Sequence, residues 1–531
     1  MSSQIYYNGY ILTMENPIYV DAIFVNNGVI EKVGTKEEVF KLKNDTTEII
    51  DLQEKTLMPS FIDAHSHLSA FANTLRLVNL SNCKSFNNII EELKNFKEKN
   101  KIKDGDWLIG FGYDNNFLKE KASPTKDILD KISVTNPILI SHASGHMGVA
   151  NSLALKMLKI TKDSKDPEGG RIGRCDKSNE PNGYLEENAF INSSSKIPQP
   201  SLETMCNFID KAQDIYLSYG ITTVQDGLVN EPEFNQLKTM ADNKRLKIDV
   251  IGYIDLKNSK EIVKNNEKYV KKFVNRYKIG GYKIFLDGSP QGRTAWLTKP
   301  YENAKDGYCG YPIYKDCEVE SFIKTALDED MQLLSHCNGD AAADQLLNSF
   351  TKVLNENNYK KDIRPVMIHA QTVRYDQIDI MKKITMIPSY FIAHVYYWGD
   401  VHIENLGKER AFKISPAKTT LDKKVTYTFH QDTPVVPQDM LQTIWCAVNR
   451  ITKNGILLGY FERLSPLDAL KAVTINAAYQ YFEENKKGSI KEGKLANLII
   501  LDQNPLIIDP MKIKDIKILK TIREGQILFS L

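Results

Sequence analysis

Two histidines separated by one residue, His65 and His67, end an apolar run that reads Met58-Pro59-Ser60-Phe61-Ile62-Asp63-Ala64-His65-Ser66-His67. In an extended chain, residues two apart point to the same side, so both imidazoles would face one ion. Neutral ring nitrogens bind divalent transition metals well, zinc among them. Taken alone, His-x-His is a weak signal, because paired histidines are common in turns. The Pro-x-Phe-Ile-Asp-x-His lead-in makes it specific. At the end of a first barrel strand, such a pair would lie on the catalytic face.

Elements that could position such a pair are visible along the whole chain. Residues 138–141, 222–225, 282–286, 331–335, 366–368 and 425–429 read as buried strands, and 201–219, 318–329 and 344–355 as helices between them. Repeated βα units over this length favour a closed (β/α)8 barrel of the TIM type over an open parallel sheet. The stretch 101–200 is turn-rich (Asp166-Pro167-Glu168-Gly169-Gly170) and too long for one βα unit, so it is expected to be partly an insertion near the barrel mouth. Both chain ends are rich in β-formers: 4–14, 22–25, 29–33 and 48–51 at one end, 495–501 and 516–528 at the other. Asn27-Gly28 is a tight-hairpin signal. The expected organisation is a small composite β-sandwich from 1–58 plus 487–531 around a barrel spanning 59–486. Two unrelated caps are the alternative.

The 531 residues exceed one ordinary domain, and 42% hydrophobic with 26% charged residues is usual for a soluble globular protein. A formal net charge of +2 gives no electrostatic case for nucleic acid or a membrane surface. Seven scattered cysteines, never spaced C-x-x-C, argue against a disulfide framework or a cysteine zinc site and suit a reducing cytoplasm. No basic segment leads into a long apolar run at the start, and no window approaches the roughly 18 apolar residues of a membrane span. A cytoplasmic enzyme acting on a small molecule is expected, and at this size a homodimer is a common state.

The residues around His65 and His67 resemble the amidohydrolase superfamily, in its amidohydrolase-3, YtcJ-like branch, which includes N-substituted formamide deformylase. The likeness runs almost the full chain, to Gly488-Ser489-Ile490-Lys491-Glu492-Gly493-Lys494-Leu495-Ala496-Asn497-Leu498, which resembles the family's return to its β-sandwich. The resemblance implies a (β/α)8 barrel with a composite β-sandwich, one or two divalent ions, zinc by preference, and four further ligand segments.

Tyr282-Lys283-Ile284-Phe285-Leu286-Asp287 resembles the strand bearing a carboxylated lysine that bridges two metals. Capture of carbon dioxide by Lys283 needs an amine whose pKa is lowered by burial or by cations. Ser335-His336-Cys337-Asn338-Gly339-Asp340 and Met367-Ile368-His369-Ala370-Gln371 match two histidine strand ends. Asp432, in Phe429-His430-Gln431-Asp432-Thr433-Pro434, matches the superfamily aspartate that touches a metal and moves the proton, although an aspartate before a proline also suits a helix N-cap. The branch more commonly reads Gly-Ser-Asp here, so His-Gln-Asp is a departure that touches the substrate pocket. His146 and His394 are placed like substrate-contacting histidines, with ordinary packing as the alternative. Asp114, Glu187, Arg293 and Trp398 are candidates for the pocket wall, and Asp226 ends a strand without a defined role.

The implied chemistry is hydrolysis of an amide-type C–N bond in an N-acyl or N-formyl amine-like substrate, by metal-activated water with Asp432 moving the proton. A deaminase or cyclic-amide ring-opening hydrolase is the alternative in the same superfamily. A non-catalytic metal-binding scaffold is the alternative of a different class.

Overall fold

Eight strands in chain order form one all-parallel sheet: β1 (Phe61–Ile62), β2 (Ile221–Val229), β3 (Asp249–Asp255), β4 (Tyr277–Phe285), β5 (Gln332–Cys337), β6 (Val366–His369), β7 (Ile387–Tyr390) and β8 (Thr428–Phe429). Each pairs with the next in parallel register, for example Ile284 with Ser335 and His336 with Ile368. The two extremes of the sheet also meet. Asp432 N donates to His65 O at 3.1 Å, and His67 N donates to Thr433 O at 2.9 Å. This arrangement fits a TIM-like core. Nearly every residue of β2 and β3 is buried, as expected of parallel strands covered on both faces. Ile62, Ile251, Leu334, Val366, Ile368 and Ile387 share one core cluster with Ala477, Ala478 and Tyr481 from beyond β8.

The computed structural model describes residues 3–115, 117–176, 178–198 and 200–531. The chain divides into two compact units, Met1–Phe71 with Ile209–Leu531, and Ala72–Phe208. The first holds the parallel sheet and a second eight-stranded sheet built from both chain ends. In that second sheet Thr56–Pro59 pairs antiparallel with Leu498–Leu501 and parallel with Gln4–Leu12, and so joins the two ends. Asn27 and Gly28 turn between Tyr19–Asn26 and Val29–Gly34 with φ of 48° and 81°, the conformation a tight hairpin asks of these residues. One face of the sheet buries Tyr6, Ile23, Val25, Leu498 and Ile522, and the other packs Ile5, Ala22 and Phe24 against Val39 of the short helix Lys36–Phe40. Thr56–Pro59 leads through Ser60 directly into β1, so this sheet sets the path of the chain toward His65.

The second unit has its own six-stranded sheet and a core that includes Ile89, Leu93, Leu108, Ile138, Ile140 and Val149. Residues 138–141, read from sequence with the barrel strands, belong here as Ile138–His142. An isolated apolar run carries no mark of the sheet it joins. The expected insertion at 101–200 falls inside this unit. Two strands of the parallel sheet are hidden in sequence: β3 is broken by Gly252, and β7 carries Pro388, which reads against a central strand. Among the described residues, no helix is long and apolar enough to cross a membrane.

The N-terminal end of the parallel sheet is tied to residues 481–487 by buried charge. Lys278 of β4, 3% exposed, donates to Glu483 Oε1 at 2.7 Å and to Tyr481 O at 2.9 Å, and Lys487 pairs closely with Asp249 at the start of β3. Replacing one member of a buried pair strands the other charge, whereas replacing both with apolar residues is often neutral. Lys278→Met should therefore cost about 3–5 kcal/mol, and Lys278→Met with Glu483→Leu should recover most of it. Thermal midpoints of the two variants against the parent check this.

Candidate metal centre

Because the eight strands are parallel, whatever lies at or just past their C-terminal ends gathers at one end of the sheet. His65 and His67 follow β1, Lys283 lies in β4, His336 in β5, His369 closes β6, and His430 and Asp432 follow β8. His369 and Asp432 have φ of 75° and 56°, a region that costs a non-glycine residue on the order of 1–3 kcal/mol and is tolerated where function needs it. Gly227, just past the Gln225–Asp226 pair of β2, must be glycine: a Cβ there would stand 2.4 Å from His65 Cε1.

The protonation of His65 follows from its neighbours. Asp63 O can only accept, so Tyr481 donates its hydroxyl proton there at 2.8 Å and accepts from Gln225 Nε2 at 3.1 Å. Gln225 Nε2 also donates to Ala64 O at 2.9 Å. The amide oxygen is therefore the end facing His65, and it lies 2.5 Å from His65 Nδ1. His65 must carry its proton on Nδ1, which leaves Nε2 as a bare lone pair. That nitrogen is 3.4 Å from Asp432 Oδ1, and His67 Nε2 is 3.3 Å from the same oxygen. Asp432 Oδ1 is buried and accepts no well-aligned hydrogen bond. A lone pair and a carboxylate oxygen held this close repel unless a cation lies between them. The ligand atoms of His65, His67 and Asp432 all fall within 4.8 Å of one another, so this donor set fits a divalent ion.

The other imidazoles form a ladder beside it. His336 Nδ1 lies 3.1 Å from His369 Nε2, His369 Nδ1 lies 3.2 Å from His430 Nε2, and His430 Nδ1 lies 2.8 Å from Ser389 Oγ. Burial, with the nearby Lys283 charge next in order, pushes the His336 pKa down to about 4, and burial is the main cause that takes His430 down to about 3. Burial and neighbouring positive charge also hold His65 and His369 well below the ordinary range. Neutral imidazole is the form that ligates. Lys283 is completely buried with an Nζ that has no hydrogen-bond partner, and burial lowers its pKa to about 7 against the opposing pull of Asp432. Burial would raise the Asp432 carboxyl, but the surrounding His67, His430 and Lys283 outweigh it and keep it below the usual carboxylate value.

All six residues expected as ligands thus come together, and His430 joins them. In the sequence His430 stands only as a departure from the branch pattern. Its spacing of two from Asp432 was the available signal, the same argument that singled out His65 and His67. Gln225 and Asp287 also escaped it. Asp287 accepts from the backbone N–H groups of Asn338, Gly339 and Trp296 at 2.9, 2.7 and 3.0 Å, and so pins the loop that follows His336. Asp226 accepts from Ser69 Oγ at 2.5 Å and pairs by backbone with His67, which makes it a brace for the first ligand segment.

His394 and Trp398 lie past β7, with ring centroids 4.5 Å apart, and Phe391 packs near both this pair and the ladder, 4.6 Å from His394 and 5.3 Å from His430. Arg293 is engaged by its own loop, donating to Glu302 O at 2.6 Å with its guanidinium 5.4 Å over the Tyr301 ring. Asp114, His146 and Glu187 belong to the second unit. There His146 Nδ1 is 3.0 Å from Glu187 Oε2 on an exposed surface, and Asp114 Oδ1 is 3.5 Å from His142 Nε2.

Relatives are consistent with this geometry. The chain is 28% identical over 543 residues to the Bacillus subtilis (strain 168) protein YtcJ, covering 99% of each chain. It is 27% identical over 532 residues to N-substituted formamide deformylase of Arthrobacter pascens, covering 96% of this chain and 95% of that one. An uncharacterized metal-dependent hydrolase from Pyrococcus furiosus, known by crystal structure, superposes with a TM-score of 0.76 at 26% identity over 95% of this chain and all of that one. The profile of the amidohydrolase family matches residues 48–529, and with its histidines, lysine and aspartate collected at the ends of a parallel sheet, this chain belongs to that family of hydrolases.

Proposed function

We propose that the protein hydrolyses an amide-type C–N bond in a small N-acyl or N-formyl amine, using one or two divalent ions, zinc by preference. The observation that carries this reading is the pairing of a bare His65 Nε2 with the unsatisfied Asp432 Oδ1, amid imidazoles held neutral by burial. Likeness to a formamide deformylase points to the bond type. The residues that would hold metal are His65, His67, His336, His369, Asp432 and, through its nitrogen or a carbamate, Lys283. When bound, such an ion polarises a carbonyl and lowers the pKa of a water to roughly 7.

The chain's own groups do the rest. Asp432, ionised at neutral pH, takes a proton from the attacking water and hands it to the departing amine nitrogen. A Lys283 amine with a pKa near 7 is substantially neutral at physiological pH and can add to carbon dioxide. The N–C bond forms, one N–H proton is lost to solvent, and the resulting carbamate offers two oxygens in a space where Nζ has no other partner. Phe391, Trp398 and Tyr397 form an aromatic cluster past β7, a character that suits an apolar or aromatic amine portion. The sheet made from both chain ends is read as the family's composite β-sandwich, anchoring the approach to β1.

Two outcomes are expected. Asp432→Asn should lower turnover per bound metal by about 10²–10⁴-fold on N-formyl and N-acetyl arylalkylamines, measured by release of amine with metal counted by elemental analysis. Full activity in that variant, or ammonia as the sole nitrogen product of the parent, would remove the amidase reading. Lys283→Met should bind less metal per chain than the parent, and a crystallographic map of the parent should show planar density beyond Nζ. An unchanged metal content with a bare Nζ would remove Lys283 from the residues that would hold metal.

A further inference from the structure

His402 lies in the helix Gly399–Ala411, outside the ligand ladder, and the hydrolytic reading above gives it no task. It is completely buried, and its Nε2 lies 3.0 Å from His394 Nδ1, the two rings parallel within 7°. Its other nitrogen, Nδ1, is sealed from solvent with no hydrogen-bond partner. Two neutral imidazoles can share this contact in only two ways. If His394 donated through Nδ1–H, His402 would carry its own proton on Nδ1, as a buried donor with nothing to accept it. If His402 donates through Nε2–H, the sealed Nδ1 is a bare acceptor. Of the two, an orphaned buried N–H is the rarer defect in folded proteins. Burial lowers the pKa of both rings, to about 4 for His402, so neither is a cation at neutral pH.

The proton of the contact therefore belongs to His402, and the single proton of His394 is left on its Nε2. That nitrogen makes no hydrogen bond within the chain among the described residues, and it is not among the atoms sealed from solvent. His394 begins the short helix His394–Tyr397 past the end of β7, on the same end of the sheet as His369 and His430, and the Phe391 ring packs near all three. We infer that His402 is a positioning residue that fixes His394 in its Nε2–H tautomer, so that His394 presents a hydrogen-bond donor to the carbonyl oxygen of the substrate. This rests on the amide-hydrolysis reading for the identity of the acceptor, but not for the tautomer. A donor aimed at an oxygen that gains negative charge during attack on a carbonyl contributes more in the transition state than in the bound substrate.

The test has two arms on the full-length, metal-loaded protein. Nitrogen-15 NMR of histidine-labelled protein, with the His394 signals assigned by their loss in His394→Gln, reads the tautomer without any substrate. The expected result is a protonated Nε2 and an acceptor-type Nδ1 on His394 in the parent and in His402→Gln, whose Nε2–H stands the same number of bonds from Cα. In His402→Leu this signature should give way to a mixture of tautomers. A protonated Nδ1 on His394 in the parent, or an unchanged signature in His402→Leu, overturns the inference. In the kinetic arm, with N-formyl and N-acetyl arylalkylamines, His402→Leu should lose about 10- to 100-fold in kcat with KM changed far less. His402→Gln should recover most of that loss, with metal content unchanged across all three proteins and a thermal midpoint in His402→Gln close to the parent's. Failure of His402→Gln to recover kcat while it keeps the tautomer removes the catalytic half. A parent that cleaves none of these amides but shows the expected tautomer pattern counts against the amide reading and leaves the His402 assignment standing.

Discussion

Five imidazoles, an amine and a carboxylate share one end of the parallel sheet, and most of them are shut away from water. In such surroundings a proton added to His65, His336, His369 or His430 is held without the hydration it would have outside, and each existing charge opposes the next. For His336 alone, the fall to about 4 represents on the order of 3 kcal/mol against the charged form. The result is a set of lone pairs facing one another at neutral pH, with Asp432 as the compensating anion. Such a set is poorly satisfied by itself and well suited to a positive ion. Every other arrangement around the site either maintains that dryness or keeps the lone pairs aimed.

The aiming is done by groups that never reach the centre. The sheet from both chain ends fixes Thr56–Pro59, and the chain passes from there through Ser60 alone into β1, which ends three residues before His65. Gln225 reads the backbone carbonyl of Ala64 with one end and holds the His65 ring with the other. Asp287 performs the same service for His336 by gripping three backbone N–H groups around the loop at 338–339. Glycine at 227 gives His65 room that no other residue would leave. These contacts hold first-row groups through second-row geometry, as metal sites require.

How much of this was legible in sequence differs residue by residue. His65 and His67 declared themselves, because a period-two pair at the end of an apolar run has few other readings. Lys283, His336, His369 and Asp432 came from motif likeness, and the structure gathers them. His430 could have been found by the same period-two argument, since it stands two before Asp432. Gln225 could not, because its role depends on carbonyls of residues 63 and 64 and the hydroxyl of Tyr481, brought near only by folding. The same limit hid β3 and β7: Gly252 and Pro388 break the local pattern, and what places them in the sheet is pairing with neighbours far along the chain. Residues 138–141 show the converse, a good strand signal that says nothing about which sheet it joins.

Two histidines on this end of the sheet are set to opposite tautomers by opposite kinds of partner. Gln225 offers His65 an acceptor, which draws the proton to Nδ1 and bares Nε2 for a cation beside Asp432. His402 offers His394 a donor, which keeps Nδ1 occupied and leaves the proton on Nε2. An imidazole is the same group in both places. Its chemistry is decided by whether the neighbour at Nδ1 gives or takes a proton. The Phe391 ring packs near both populations, 4.6 Å from His394 and 5.3 Å from His430. A hydrolase needs both kinds near one carbonyl: lone pairs to hold a cation, and a donor for the oxygen that becomes negative.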